Sequence, residues 1–155
     1  MRVTDSTVRS ETPELALVTA ADEHFLARFE SCELPEFEWT HLAHIRVAWI
    51  CLKLASPELA LARIREGILR YNTEVLHRPH KYHETVTVAF ARIVAERISA
   101  GEPWTDFAER ISDLLDPGAP ILLRYYSVDR LSSVAARQAF IEPDLGGLPE
   151  FLEID

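Results

Sequence analysis

Apolar residues recur every three to four positions through most of the chain, and strand-like alternation is scarce. The pattern predicts an all-α, single-domain helical bundle of about five to seven helices. A first helix is expected from about Thr19 to Cys32, opened by a capping-box-like Thr19 and Asp22 and striped by Phe25, Leu26 and Phe29. Leu34-Pro35-Glu36-Phe37 breaks it. Thr40 is the N-cap of a second helix running to about Ala55, in which the only polar side chains are His41, His44, Arg46 and Lys53. A helix so apolar must be covered on several faces.

Ser56-Pro57-Glu58 starts a third helix, with Leu59, Ala62, Ile64, Ile68 and Leu69 leading towards Tyr71. His77-Arg78-Pro79-His80 interrupts the pattern. A fourth helix is expected from about Lys81 to Ser99, with His83, Val86, Phe90 and Ile93 on one stripe, ended by Gly101 and Pro103. Thr105 to Leu115 predicts a fifth helix and Asp116-Pro117-Gly118 a turn. The last helical part runs from about Ile121 to Phe140, with a new cap at Ser127. Residues 1–18 form an N-terminal extension, 19–142 the bundle and 143–155 an acidic tail.

Composition narrows the function classes. Of 155 residues, 48% are hydrophobic and 26% charged, an ordinary globular balance. Sixteen basic against 25 acidic side chains leave a net charge of −9, without the positive footprint that nucleic acids and anionic membranes require. No apolar run approaches the roughly 20 residues of a membrane span, and the start of the chain lacks the apolar core of a secretory signal. The two cysteines, Cys32 and Cys51, make no C-x-x-C pair. The expectation is a cytoplasmic protein whose partner is a small-molecule substrate.

The candidate chemistry lies in the histidines. His41 and His44 stand three apart and share a helix face that continues through Ala48, Cys51 and Ala55, leaving room beside them. In His80-Lys81-Tyr82-His83-Glu84-Thr85, His83 belongs to the apolar stripe and should point inward, while His80 lies nearer solvent. His41, His44 and His83 are therefore the candidate ligands of one divalent transition metal, zinc, iron or copper, on facing helices. Helix starts disfavour imidazolium and so favour the neutral ring that a ligand or base requires. Glu84 and Tyr82 are candidates for acid/base or supporting roles, and Arg124 for holding an anionic substrate group. The same residues allow two metal-free readings. One is an isomerase, cyclase or dehydratase using His83 as general base; the other is a non-catalytic ligand- or protein-binding module.

Other patterns carry less. Glu38-x-x-His41 and Glu74-x-x-His77 match the dimetal-bundle motif but fall at a cap and a chain break. H-E-x-x-H, a Gly-rich phosphate loop and G-x-S-x-G are absent from the sequence. Cys51 on its apolar helix suits the core, as do Trp39, Trp49 and Trp104. Arg46, isolated in an apolar helix, must pair with a carboxylate or face a ligand. In Arg124-Tyr125-Tyr126 the tyrosines suit packing.

The segments Thr40-His41-x-x-His44-x-Arg46-x-Ala48-Trp49 and Lys81-Tyr82-His83-Glu84-Thr85 resemble the motifs of a group of small, mostly uncharacterised all-helical bacterial proteins. Arg124-Tyr125-Tyr126 and Asp129-x-Leu131-x-Ser133 are similar to that group as well, so the resemblance spans about Phe37 to Pro143. It implies that His41, His44, Tyr82 and His83 belong to a shared pattern, which His80 does not clearly match. No activity comes with it. The leading expectation is a small helical metalloenzyme acting on a small polar, possibly anionic, molecule.

Overall fold

The computed structural model describes residues 18–151. Among them are seven α-helices, four short 3-10 turns and no strand. Helices α1 (Ala20–Glu30), α2 (His41–Leu54), α3 (Pro57–Glu74) and α4 (Glu84–Arg97) form the bundle. The short helices α5 (Trp104–Glu109), α6 (Val128–Leu131) and α7 (Val134–Gln138) close it.

Helix α2 is the centre, with α1, α3 and α4 all packed against it. Its buried residues include Ile45, Val47, Trp49, Ile50 and Cys51, which together occupy every side of the helix. The expected starts hold. Thr19 and Asp22 make a full capping box, Thr40 accepts from the Ala43 N–H, and Ser56 from Leu59, with Pro57 in the first turn. Arg46 takes the paired alternative. It reaches Asp22 Oδ1 at 2.7 Å, a carboxylate buried in α1, and its guanidinium lies 4.6 Å from the Phe25 ring centre. The ion pair ties α2 to α1.

Three boundaries differ from the pattern. Helix α4 begins at Glu84, not near Lys81, because Pro79–Lys81 turns as a 3-10 helix and His83 is the extended N-cap residue, accepting from the Val86 N–H. Helix α5 stops at Glu109. Arg110 folds back onto Glu102 and the Arg97 carbonyl, and Ile111 turns fully inside. The stretch from Ile121 is not one helix, since Ser127 and Ser133 each cap a separate start six residues apart. The expected extension 1–18 lies outside the described residues except for Val18, which is buried. The described part of the tail is docked: Leu148 is buried, and the Leu145 N–H donates to the Tyr125 carbonyl at 2.8 Å.

A stack of rings links the helices at one end. Phe29 lies 4.5 Å from Trp39 and 5.7 Å from Tyr71, centre to centre. Gly67 of α3 is there because nothing larger fits: a Cβ would meet Phe29 Cε2 at 2.5 Å. With its ring held between two others, Phe29 has nowhere to retreat. Gly67→Ala therefore meets an overpacking cost of about 1–3 kcal/mol against a helix-propensity gain of about 1 kcal/mol. The expected result is a net loss near 1 kcal/mol in urea unfolding; a more stable variant would show that the ring yields.

Candidate functional site

The starts of α2 and α4 lie side by side, and this brings the three histidines to one end of the bundle. Each ring has a defined bonding state. His41 Nε2 lies 3.0 Å from the Leu114 carbonyl, and a carbonyl can only accept, so the proton is on Nε2 and Nδ1 keeps its lone pair. His44 Nδ1 donates to the Thr40 carbonyl at 2.7 Å, leaving Nε2 as acceptor. Its ring is stacked 3.7 Å from Trp39. His83 spends both nitrogens on backbone. Nδ1 accepts from the Val86 N–H at 3.2 Å and Nε2 donates to the Leu131 carbonyl at 2.8 Å.

That arrangement bears on the metal set read from the sequence. His41 and His44 each retain one lone pair, but His83 has none to offer without breaking a backbone hydrogen bond. Among the described residues no three His, Cys, Asp or Glu side chains are grouped so as to hold a metal ion. The donor set as folded does not fit a three-histidine centre.

Tyr82 and Glu84 are bound to each other and to α3. The Tyr82 hydroxyl donates to Glu84 Oε1, and Arg65 grips the same carboxylate through Nε at 3.0 Å and a terminal nitrogen at 2.6 Å. Burial raises the Glu84 carboxyl, but the hydrogen bonds from Arg65 and Tyr82 together outweigh it and hold the group below the usual carboxylate range. Burial, reinforced by the bond to Glu84, pushes the Tyr82 phenol up to about 12. The pair is a charged clasp between α3 and α4. Arg124 is exposed and borders none of the cavities at the histidine end, while Tyr126 is buried with its hydroxyl on the Ile141 carbonyl. His24, His77 and His80 are exposed. Burial drives the Cys51 thiol up to about 12, as expected of a core cysteine.

What the histidines surround is open space. A cavity of about 390 Å³ lies between Trp39, His44, Asn72, Tyr82 and His83, with Glu36, Arg78 and Lys81 also on its wall. Asn72 is the unusual member. It is 5% exposed as a residue and borders the cavity, where water or a ligand can meet its side-chain amide. Beyond the first turn of α4 lies an apolar groove of about 650 Å³, bordered by His41, His83, Phe90, Leu114, Leu122 and Leu131 among others.

Sequence reasoning passed over Trp39, Asn72, Arg78 and Lys81. A signal existed for Asn72: it follows Ile64 and Ile68 along a stripe whose other members are apolar, a polar residue where burial is the rule. Arg78 and Lys81 flank a proline and carried no such mark. No family model, curated protein or solved structure matches the chain, so the resemblance rests on its two motifs.

Burial pushes the His44 imidazole down to about 4, and the nearby His41 adds to the lowering, against the Thr40 carbonyl that favours the proton. The unfolded chain takes this proton near the ordinary value of 6.5, while the folded chain refuses it until about 4. The stabilising contribution is whole above about pH 6.5 and drains away as pH falls towards 4, by at most about 1.4 kcal/mol per unit. In urea unfolding at successive pH values across that window, wild type should lose this increment and His44→Gln should not. Equal slopes would show that the ring titrates freely.

Proposed function

We propose that this protein binds a small anionic molecule in the cavity between Trp39, His44, Asn72, Arg78 and Lys81. The observation that carries the reading is one cavity wall shared by two cationic side chains, Arg78 and Lys81, with His44 and the largely buried Asn72. Arg78 and Lys81 on the wall supply two positive charges against the single carboxylate of Glu36, a local excess in a chain of net −9. A guanidinium and an ammonium on one cavity wall suit a carboxylate or phosphate group. The Asn72 amide and His44 then read the polar remainder, the amide in either sense and the imidazole as acceptor. The Trp39 ring provides a flat wall.

The reading assigns binding and orientation, with no reaction attached. A nitrogen with a pKa near 4 is a sound hydrogen-bond acceptor and a weak base, so His44 fits recognition better than proton abstraction. His83, whose nitrogens both serve the backbone, is a positioning residue: it sets the start of α4 and holds Leu131. The metalloenzyme reading would need His83 to release a backbone bond or a donor from outside the protein. Elemental analysis of untagged protein beside His44→Ala decides this, since stoichiometric metal lost in the variant would overturn the metal-free reading.

The direct test is calorimetric titration with small carboxylates, phosphate monoesters and inorganic phosphate. Wild type should bind one of these groups. Arg78→Ala/Lys81→Ala should weaken it at least about tenfold, the worth of one charge-assisted hydrogen bond. Asn72→Asp, nearly isosteric, should abolish binding while the circular dichroism spectrum stays the same. Binding indifferent to all three positions, or no binding of any anion, would overturn the proposal.

A further inference from the structure

The polar cavity does not stand alone. A narrow cleft of about 100 Å³ lies between α2, α3 and α4. It shares His44, Ile68, Val86 and Thr87 with the polar cavity, and His41, Val86 and Phe90 with the apolar groove. His83 and Val86 border the cavity and the groove directly. Where the cleft runs, α2 and α4 face each other with Ala48 and Ala91, so the seam is kept open by small side chains. The three spaces adjoin one another through these shared walls.

Their chemistry differs. In the polar cavity two cations, Arg78 and Lys81, stand against Glu36, with the Asn72 amide beside them. In the groove Leu114, Leu115, Pro120, Leu122 and Leu131 form most of the wall, Asp116 and Arg137 offset each other in charge, and Leu123 and Val128 remain 38% and 63% exposed. The groove does not collapse because its two sides are pinned from below. His41 bonds the Leu114 carbonyl on one side and His83 the Leu131 carbonyl on the other. A pre-formed apolar groove of this size can take an apolar chain at little cost in reorganisation.

We infer that the ligand is an anionic amphiphile, its acid head at Arg78, Lys81 and Asn72 and its apolar chain laid past Val86 into the groove beside Phe90, Leu122 and Leu131. The inference rests on the reading of the polar cavity given above and adds the class of molecule. A carboxylate and a phosphate monoester share the head chemistry that the two cations recognise. The charge excess at one end and its near-absence at the other give the chain one orientation.

Titration calorimetry with straight-chain carboxylates and alkyl phosphates of two to ten carbons, below their aggregation concentrations, tests it beside the matching alcohols. Affinity should rise about threefold to fourfold per methylene until the groove is full. The better of the two head series identifies the acid. Leu123→Asp/Val128→Asp, two exposed positions away from the head, should flatten that rise and leave the shortest acids unchanged. Arg78→Ala/Lys81→Ala should lower every member by a common factor. Acids that bind equally at all lengths would overturn the amphiphile and leave the polar-cavity reading intact. The same follows if only inorganic phosphate binds. Alcohols that bind as well as acids, with no response to Arg78 or Lys81, would overturn both.

Discussion

Helix α2 has so little polar surface that it can exist only under cover. Eight of its fourteen residues are buried, and they are distributed around the whole circumference of the helix. Water on any long face would expose apolar area at a cost of about 25 cal/mol per Å². The remaining elements are arranged as that cover, with α1, α3 and α4 on three sides and the aromatic pair Trp104 and Phe107 against Trp49 on another. The wrap is most open where α2 begins, at Thr40, His41 and Leu42. A site at that end is a consequence of covering a helix that is apolar nearly throughout and polar at its first turn.

The second half of the chain has no long helix of its own after α4, and it is held by side chains that bond backbone carbonyls. His41 takes Leu114, His83 takes Leu131, Thr85 takes Ala139 and Tyr126 takes Ile141. Buried carbonyls need partners, and short helices leave many of them unmet. Two of the three clustered histidines are thereby structural in their bonding and still form cavity walls. This dual use is why the residues that look most like metal ligands in sequence are the ones that shape the pocket.

Electrostatics sorts the cavities further. The Arg65–Glu84–Tyr82 clasp neutralises the carboxylate behind Tyr82, leaving Glu36 as the one acid on the cavity wall, and Asp22 is answered by Arg46. With those charges paired internally, Arg78 and Lys81 dominate the field at the mouth. An acidic protein can in this way keep a small region attractive to anions.

The helical periodicity, the caps at Thr19, Thr40 and Ser56 and the apolar girth of α2 were all legible from the chain, because each is a local property of consecutive residues. So was the place of His41, His44 and His83 at or near helix starts, though not that the two starts lie side by side. The sequence also allowed the second half to be read as longer helices, since nothing local reveals that Ser133 caps a separate turn or that Arg110 folds back to stop α5. What only the tertiary structure decided is the bonding of each imidazole nitrogen and the company of Asn72. Those depend on which carbonyl a neighbouring element happens to present, and residues 28 to 73 positions apart along the chain meet there only after folding. The sequence by itself determined a covered central helix with a polar mouth; three-dimensional packing determined that the mouth is a cavity with Asn72 on its wall.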